Sequence, residues 1–464
     1  SNPIGPPSGQ FGASLALGDV LVIGDPGANN GDGVVHIFDV VGGAANFIAT
    51  LHGPIHVEPG GNFGNDVALL GTTLAIGAPG PLGGAGAVGG RVSIYDVNLG
   101  KGSPVQLDVV LEGGSHELSQ FGFSVALSES GATRALAAGM PGMDLMPGDH
   151  GTVEVYRDSG DGQWLLEASL APDATSNMDG FGTAVGMGSD LLAVGAPYTT
   201  STAPANGTGI IYRFSPTSNT WLYETTIHPV GATGGDQFGA AVAVSSDRVV
   251  FGGPGLSSFV GEETGQALLY EAPDDAVWQN DLRSTVPIVL DRSFFGGEDP
   301  SPQFAAEIAL SGQVALVGNP VAGQVHIYRR DGAVGSPWQS LFMQVFPPDQ
   351  EEAGGFGANI VMSDDIAVIA APYAGIGGEV YVYKDDSGEG LDWGLVQTMT
   401  PEGGSSGTLG VGLAMKEVGG QLRLAVGDPG NIYDTQNSGE VHLYTWNTGS
   451  MQFNINATLT NPGY

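Results

Sequence analysis

Short apolar stretches, most of them four to eight residues long, alternate with Gly-rich turns along the whole chain. In one such region Phe181-Gly182 opens an apolar stretch, and Leu191–Ala196 forms a second one that stops at Pro197. A third stretch, Gly209–Phe214, mixes β-branched and aromatic residues behind a glycine, and Trp221 opens a fourth. Alternation with a period of two, bounded by turn residues, predicts β-strands. The region is therefore predicted to form four strands.

The same unit recurs eight times in 464 residues. Successive copies are 52 to 66 residues apart, and each opens on one large apolar residue: Phe11, Phe63, Phe121, Phe181, Phe238, Phe304, Phe356 and Leu409. Each second stretch stops at a proline: Pro26, Pro79, Pro141, Pro197, Pro254, Pro320, Pro372 and Pro429. A fixed period of this size indicates a repeat architecture.

Four short strands per copy predict a β-propeller, because each propeller blade is a four-stranded sheet. We expect an all-β chain with eight antiparallel blades that start near residues 10, 62, 120, 180, 237, 303, 355 and 408. Residues 1–464 then form a single domain, with the small-residue first strands around the central axis. Residues 1–9 contain three prolines, which are poor strand formers. The ring is therefore expected to close without an exchanged strand.

The Phe-Gly…Gly-Ala-Pro pattern resembles the FG-GAP repeat, the blade unit of the integrin α-chain propeller and of many secreted bacterial and algal proteins. The resemblance extends from about Gln10 to Pro462. It implies an extracellular binding propeller, and because family members are mostly seven-bladed, seven blades are the alternative to eight. In integrins, calcium binds in the turn between strands one and two. The corresponding turns here are too short to supply six to eight oxygen ligands, so those calcium sites are not expected.

Charge narrows the range of partners. The chain has 13 Lys and Arg residues against 49 Asp and Glu residues, for a net charge of −36. Such a surface repels phosphate backbones, so nucleic acid is not expected as a partner. It favours cations, basic partners or neutral sugars, although a solubility role explains the charge as well. No apolar stretch is long enough for a transmembrane segment.

Long connections fall between strands two and three of a blade and between strand four and the next blade. Strand alternation puts both sets on one side of the ring, called here the long-loop face. Binding residues concentrate on loops that a rigid scaffold displays, so the ligand is expected there. The resemblance to integrins implies the same face. Tyr198 and Tyr373 follow the proline stops and are candidate stacking residues for a sugar, the alternative being that they pack on their own loops.

Two groups of acidic residues are candidate sites. Asp25, Asn29 and Asp32 of blade one and Asp428 and Asp434 of blade eight would meet where the ring closes and could bind a cation such as Ca²⁺. The alternative is ordinary Asp and Asn turn chemistry. Asp66 and Glu307 occupy the same first-strand position in blades two and six, opposite each other across the axis. They could act as an acid/base pair or line a wet channel.

The function expected from these features is recognition of a polysaccharide or a surface protein by a secreted or cell-surface adhesion propeller. A polysaccharide lyase or hydrolase is the second hypothesis. A structural module that self-associates in a surface assembly or filament is the third.

Overall fold

The structure is a computed structural model. It describes the chain apart from residues 1–9, 42–43, 54–59, 81–88, 114–119, 131–132, 143–149, 161, 173–179, 199–206, 229–236, 246–247, 255–265, 272–287, 291–304, 331–337, 346, 349–353, 388–391, 402–406, 430–438 and 463–464. The described residues form strands and turns, with one four-residue helical turn, Ala28–Gly31. No helix in the described ranges is long and apolar enough to cross a bilayer.

The strands follow one another in groups of four. Blades one and two comprise β1 Ser14–Leu17, β2 Val20–Asp25, β3 Val34–Val41, β4 Ala44–His52, β5 Val67–Leu70, β6 Thr73–Ala78, β7 Arg91–Val97 and β8 Val105–Glu112. Blades three and four comprise β9 Val125–Ser130, β10 Thr133–Met140, β11 Thr152–Asp158, β12 Trp164–Leu170, β13 Ala184–Met187, β14 Leu191–Ala196, β15 Thr208–Ser215 and β16 Thr220–Ile227. Blades five and six comprise β17 Ala241–Val244, β18 Arg248–Gly253, β19 Gln266–Glu271, β20 Ile288–Leu290, β21 Ile308–Ser311, β22 Val314–Asn319, β23 Gln324–Arg330 and β24 Trp338–Val345. Blades seven and eight comprise β25 Asn359–Ser363, β26 Ile366–Ala371, β27 Glu379–Asp385, β28 Trp393–Met399, β29 Gly412–Val418, β30 Gln421–Asp428, β31 Glu440–Asn447 and β32 Gln452–Thr460.

Each group of four consecutive strands forms its own antiparallel sheet, and no described strand joins the sheet of another blade. The first strands contact one another in chain order around the ring, and β29 of blade eight contacts β1 of blade one. The prediction of an eight-bladed propeller closed without strand exchange is therefore confirmed, and the seven-bladed alternative is wrong.

The leading aromatic residues form the core between blades. Phe181 packs with Val153 and Val155 of the preceding blade and with Leu192 of its own. The equivalent residues Phe11, Phe63, Phe121, Phe238 and Phe356 are also fully buried. Burial of a ring this size against a neighbouring blade is what joins successive sheets, since the blades share no backbone ladder along their strands.

The glycines of the repeat have a defined structural role. The Gly182 amide donates to the Gly195 carbonyl oxygen at 3.0 Å, which ties the first strand of blade four to the end of its second strand. On its other side Gly195 lies against the Gly239 carbonyl of blade five, and a Cβ on Gly195 would overlap that oxygen. Only glycine permits so close an approach of two backbones, so this residue sets the spacing between blades.

The outer strands carry a β-bulge at a constant place. In six blades the register of the third and fourth strands shifts by one residue directly before the third-strand aromatic, as between Val155 and Tyr156 in blade three. The extra residue on the fourth strand is Glu167 in blade three, Glu224 in blade four and Asn456 in blade eight. The bulge turns these side chains out of the regular alternation.

Candidate functional site

Where the structure describes them, the two sets of long connections lie side by side, as between blades one and two. The Asn62 amide, just before blade two, donates to the Gly31 carbonyl oxygen of the connection between β2 and β3 at 2.7 Å. In the same place the Gly60 amide donates to Asp32 Oδ1 at 3.0 Å. The connection between the second and third strands of blade one is therefore hydrogen-bonded to the segment that leads into blade two. Both segments belong to the long-loop face.

Tyr373 and Tyr198 both lie on this face, in equivalent positions of blades seven and four. Tyr373 is 74% exposed and Tyr198 is 49% exposed. Each ring covers the glycine before the leading Phe of its own blade: a Cβ on Gly355 would lie 3.1 Å from Tyr373 Cδ2, and one on Gly180 would lie 2.6 Å from Tyr198 Cδ2. The Tyr373 amide also donates to the Gly354 carbonyl oxygen at 2.8 Å. The rings thus rest on their own loops and present their remaining surface to solvent.

Two further apolar side chains on this face are not apparent from the repeat pattern. Val321 follows the proline stop of blade six and is 53% exposed, and Ile376, three residues after Tyr373, is 73% exposed. Blades six and seven are neighbours, so Val321, Tyr373 and Ile376 belong to one sector of the face. The signal that identifies Val321 is its position directly after the stop proline, which Tyr373 shares. That position is glycine in the other copies except blade four: Gly27, Gly80, Gly142, Gly255 and Gly430.

Asp25 lies at the interface where blade eight meets blade one, and it is fully buried. Its Oδ1 accepts a hydrogen bond from the Gln10 amide at 2.5 Å, and its Oδ2 accepts one from Asn461 Nδ2 at 2.9 Å. Asn461 follows the last strand of blade eight, so this carboxylate connects the two ends of the ring. Burial raises the pKa of Asp25 to about 6, although the hydrogen bonds from Gln10, Ala28 and Asn461 act in the opposite direction.

Asp428 of blade eight makes the same kind of contact within its own blade as Asp25 makes with Gln10. Its Oδ1 accepts a hydrogen bond from the Thr408 amide at 2.7 Å, directly before Leu409. Gln10 and Thr408 hold equivalent positions, each directly before the leading apolar residue of its copy. Asp25 and Asp428 therefore each hold the segment that leads into the first strand of their blade. These are structural roles that the sequence hypothesis did not include.

The remaining candidate cation ligands are dispersed. Asn29 lies in the turn Ala28–Gly31 with a φ of 53°. Asp32 is directed to Gly60 on the side of blade two, away from blade eight. Asp434 lies outside the described residues. No group of three or more His, Cys, Asp or Glu side chains suited to a metal ion occurs in the described ranges. Calcium at the closing interface stays a prediction.

Asp66 and Glu307 directly precede the first strands β5 and β21 of blades two and six. Asp66 Oδ2 accepts a hydrogen bond from the Val125 amide of the next blade at 2.8 Å. The equivalent side chains Ser14, Ser124 and Asn359 also bond the next blade, at Gly64, Gly182 and Val411. This position therefore links neighbouring blades. Burial raises the pKa of Asp66, and it raises that of Glu307 to about 8. Neither carboxyl contributes to the pKa shift of the other, so a pair across the axis stays a prediction.

These features define the class of the protein as an eight-bladed β-propeller with an acidic surface and an apolar sector on its long-loop face. No family model matches the chain, and no curated protein matches it. Among solved structures it is similar to Sqt1 of Saccharomyces cerevisiae, with 12% identity, a TM-score of 0.54 and coverage of 99% of this chain and 98% of that one.

It is also similar to Sqt1 of Chaetomium thermophilum bound to the N-terminus of the ribosomal protein L10, with 14% identity, a TM-score of 0.53 and coverage of 90% and 94%. A putative 6-phosphogluconolactonase from Bacteroides uniformis matches with 11% identity, a TM-score of 0.48 and coverage of 84% and 97%. At these identities the similarity establishes the propeller fold alone.

Proposed function

We propose that this chain is an extracellular or cell-surface binding propeller of the FG-GAP kind, which holds a polysaccharide or a surface protein on its long-loop face. The observation that carries the proposal is the exposed ring of Tyr373, fixed over Gly355 and flanked by Ile376. A Tyr ring already held by its own loop loses little conformational freedom when a ligand binds. It offers both an apolar face for stacking and a hydroxyl for hydrogen bonding.

The charge of the chain restricts the ligand class. A net charge of −36 disfavours polyanions and favours neutral glycans or basic protein segments. The C. thermophilum Sqt1 complex is an example of a propeller of similar shape that holds a segment of a protein partner. A protein ligand for the present chain is accordingly part of the proposal, beside a neutral polysaccharide.

An array of neutral polysaccharides and basic surface-protein segments tests the proposal. Wild-type protein is compared with Tyr373→Ala and with Tyr223→Ala, which removes an exposed Tyr from the outer strand β16. We expect Tyr373→Ala to lose at least about tenfold in affinity for the ligand that wild type selects, as for an aromatic anchor. Tyr223→Ala should bind like wild type.

Unchanged melting temperatures would show that neither substitution acts through folding. Equal loss in both variants, or no loss in Tyr373→Ala, would contradict placement of the ligand on the long-loop face.

A further inference from the structure

One position of the repeat differs in blade eight from its equivalents in the seven other blades. The residue after the third-strand aromatic is charged in seven copies: Asp39, Asp96, Arg157, Arg213, Glu271, Arg329 and Lys384. In blade eight it is Thr445. The bulge residue of the adjoining outer strand is acidic in three blades, as Asp108, Glu167 and Glu224, and uncharged in three, as Ile48, Val396 and Asn456 of blade eight. Blade eight therefore has neither charge at this place.

In blade three the two charged residues close the space between blades. Arg157 Nε lies 2.6 Å from Glu167 Oε1, and its Nη2 donates to Glu167 Oε2 at 2.9 Å. The Arg157 guanidinium also lies over the ring of Phe214 of blade four, 4.3 Å from the centroid. Trp221 Nε1 of blade four donates to Glu167 Oε2 at 2.9 Å. A bidentate ion pair and two aromatic side chains thus fill the outer interface.

In blade eight the short Thr445 leaves a cavity in place of that ion pair. The cavity measures about 340 Å³ and is called here the blade-eight pocket; its lining residues are Gln421, Thr445, Trp446, Asn447, Thr448, Asn454 and Asn456. Thr445 is 8% exposed, and within the described part of the chain its buried Oγ1 has no hydrogen-bond partner. A buried hydroxyl without a partner costs free energy, so a ligand that reaches Oγ1 would gain a hydrogen bond that the described residues do not supply.

The lining determines the class of ligand. Among the described residues around the pocket none is charged, although the chain as a whole carries a net charge of −36. Carboxamides and hydroxyls each donate and accept hydrogen bonds, so the lining suits a ligand whose groups also donate and accept hydrogen bonds. Arg423 pairs with Thr445 in register but is not part of the lining, because its Nη1 donates to the Val40 carbonyl oxygen of blade one at 3.0 Å.

We propose that the blade-eight pocket binds a neutral saccharide. Several adjacent hydroxyls on a ring match the carboxamides of Asn454 and Asn456, and one of them would pair with Thr445 Oγ1. The volume lies within the range of small-molecule sites. Asn447 and Thr448 lie at the turn between β31 and β32, on the side of the ring opposite to the long-loop face. This site is therefore separate from the proposed function, and either can fail without the other.

The probes are glucose, galactose, mannose and N-acetylglucosamine, with glucuronate as the charged comparison. Binding to the full chain is followed by saturation-transfer NMR and titration. We expect a dissociation constant in the millimolar range for at least one neutral sugar, as is usual for a small open pocket, and weaker binding of glucuronate.

Two variants locate the binding. Thr445→Arg combined with Asn456→Glu rebuilds the ion pair of blade three and fills the pocket, so it should abolish the saturation-transfer signal. Thr445→Val removes only the unpaired hydroxyl and should weaken binding about fivefold without loss of stability. Tyr373→Ala should leave this binding unchanged.

Binding that is equally strong in the pocket-filled variant, or no binding of any neutral sugar below about 100 mM, would overturn the proposal. If the double variant does not fold, Thr445→Val decides alone: wild-type affinity in that variant is the contradicting result.

Discussion

The outer interface between blades three and four and the interface between blades eight and one use the same repeat positions in opposite ways. In the first, Arg157 and Glu167 form a bidentate ion pair that Trp221 and Phe214 cover from the next blade. In the second, Thr445 and Asn456 replace the pair and leave an uncharged pocket. The described contacts that close the ring there include Asn461 to Asp25 on the long-loop side and Arg423 to the Val40 carbonyl oxygen on the opposite side.

The difference indicates where binding sites arise in a repeat protein. Residues that follow the repeat rule hold blades together, and those that depart from it leave space or present an unusual side chain. The residue after the stop proline behaves in the same way. It is glycine in five copies, whereas Tyr198, Val321 and Tyr373 stand there in the others and are exposed. Both candidate binding surfaces of the ring therefore coincide with departures from its own pattern.

The largest expected effect comes from the leading aromatics, which both interfaces share. Phe11 packs with Val441 and Leu443 of blade eight, as Phe181 packs with Val153 and Val155 of blade three. Phe11→Ala and Phe181→Ala should each lower the free energy of unfolding by about 3–5 kcal/mol, because a buried ring is lost and a cavity remains. Denaturant unfolding measures both. A Phe11→Ala effect below about 1 kcal/mol would show that the closing interface is not built like the others.

A pH effect tests the contact that Asp25 makes at the closing interface. The pKa of Asp25 is raised from 3.8 to about 6, so the folded state holds this proton more tightly than the unfolded state. The resulting stability is fully present below about pH 4 and is lost as the pH rises through 6. The loss should amount to about 2–3 kcal/mol.

Asp25→Asn keeps the shape of the side chain but cannot ionise. Its unfolding free energy should fall less than that of wild type between pH 4 and pH 7, as followed by denaturant melts at each pH. Identical pH dependence in the two proteins would exclude Asp25 as the cause. Phe181→Ala serves as the control, since it should keep the wild-type pH dependence.

The smallest expected change in stability comes from the bulge residues of the outer strands. Glu167→Gln removes the charge that Arg157 pairs with and should cost about 2 kcal/mol, because the guanidinium is largely buried. Asn456→Gln, at the equivalent position of blade eight, should change stability by less than about 0.5 kcal/mol. Thermal melts of the two variants give the comparison. Equal losses would mean that the blade-eight position also supports the ring.

Much of the fold follows from the sequence because the repeat is short and regular. Phe181-Gly182 and the Gly195 stop mark the first two strands of blade four, and their equivalents mark the other blades. The partners of buried polar side chains do not follow in this way. Asp25 bonds Asn461 at the other end of the chain, and nothing in its local pattern distinguishes that partner from a cation.

The blade-eight pocket does not follow from the sequence for a related reason. Its lining depends on a one-residue bulge that brings Asn456 beside Thr445, and register shifts of this kind are not visible in an apolar pattern. A comparison of the eight copies at the residue after the third-strand aromatic identifies Thr445, once that position is known to face the next blade.

Amide hydrogen exchange of the free and the ligand-bound protein locates the ligand on the ring, with the strongest ligand from the array as the probe. We expect slower exchange at residues 354–358 and 372–378, which surround Tyr373 on the long-loop face, and no change in the outer strand Trp164–Leu170. Protection confined to the outer strands, with exchange around Tyr373 unaltered, would contradict placement of the ligand on the long-loop face.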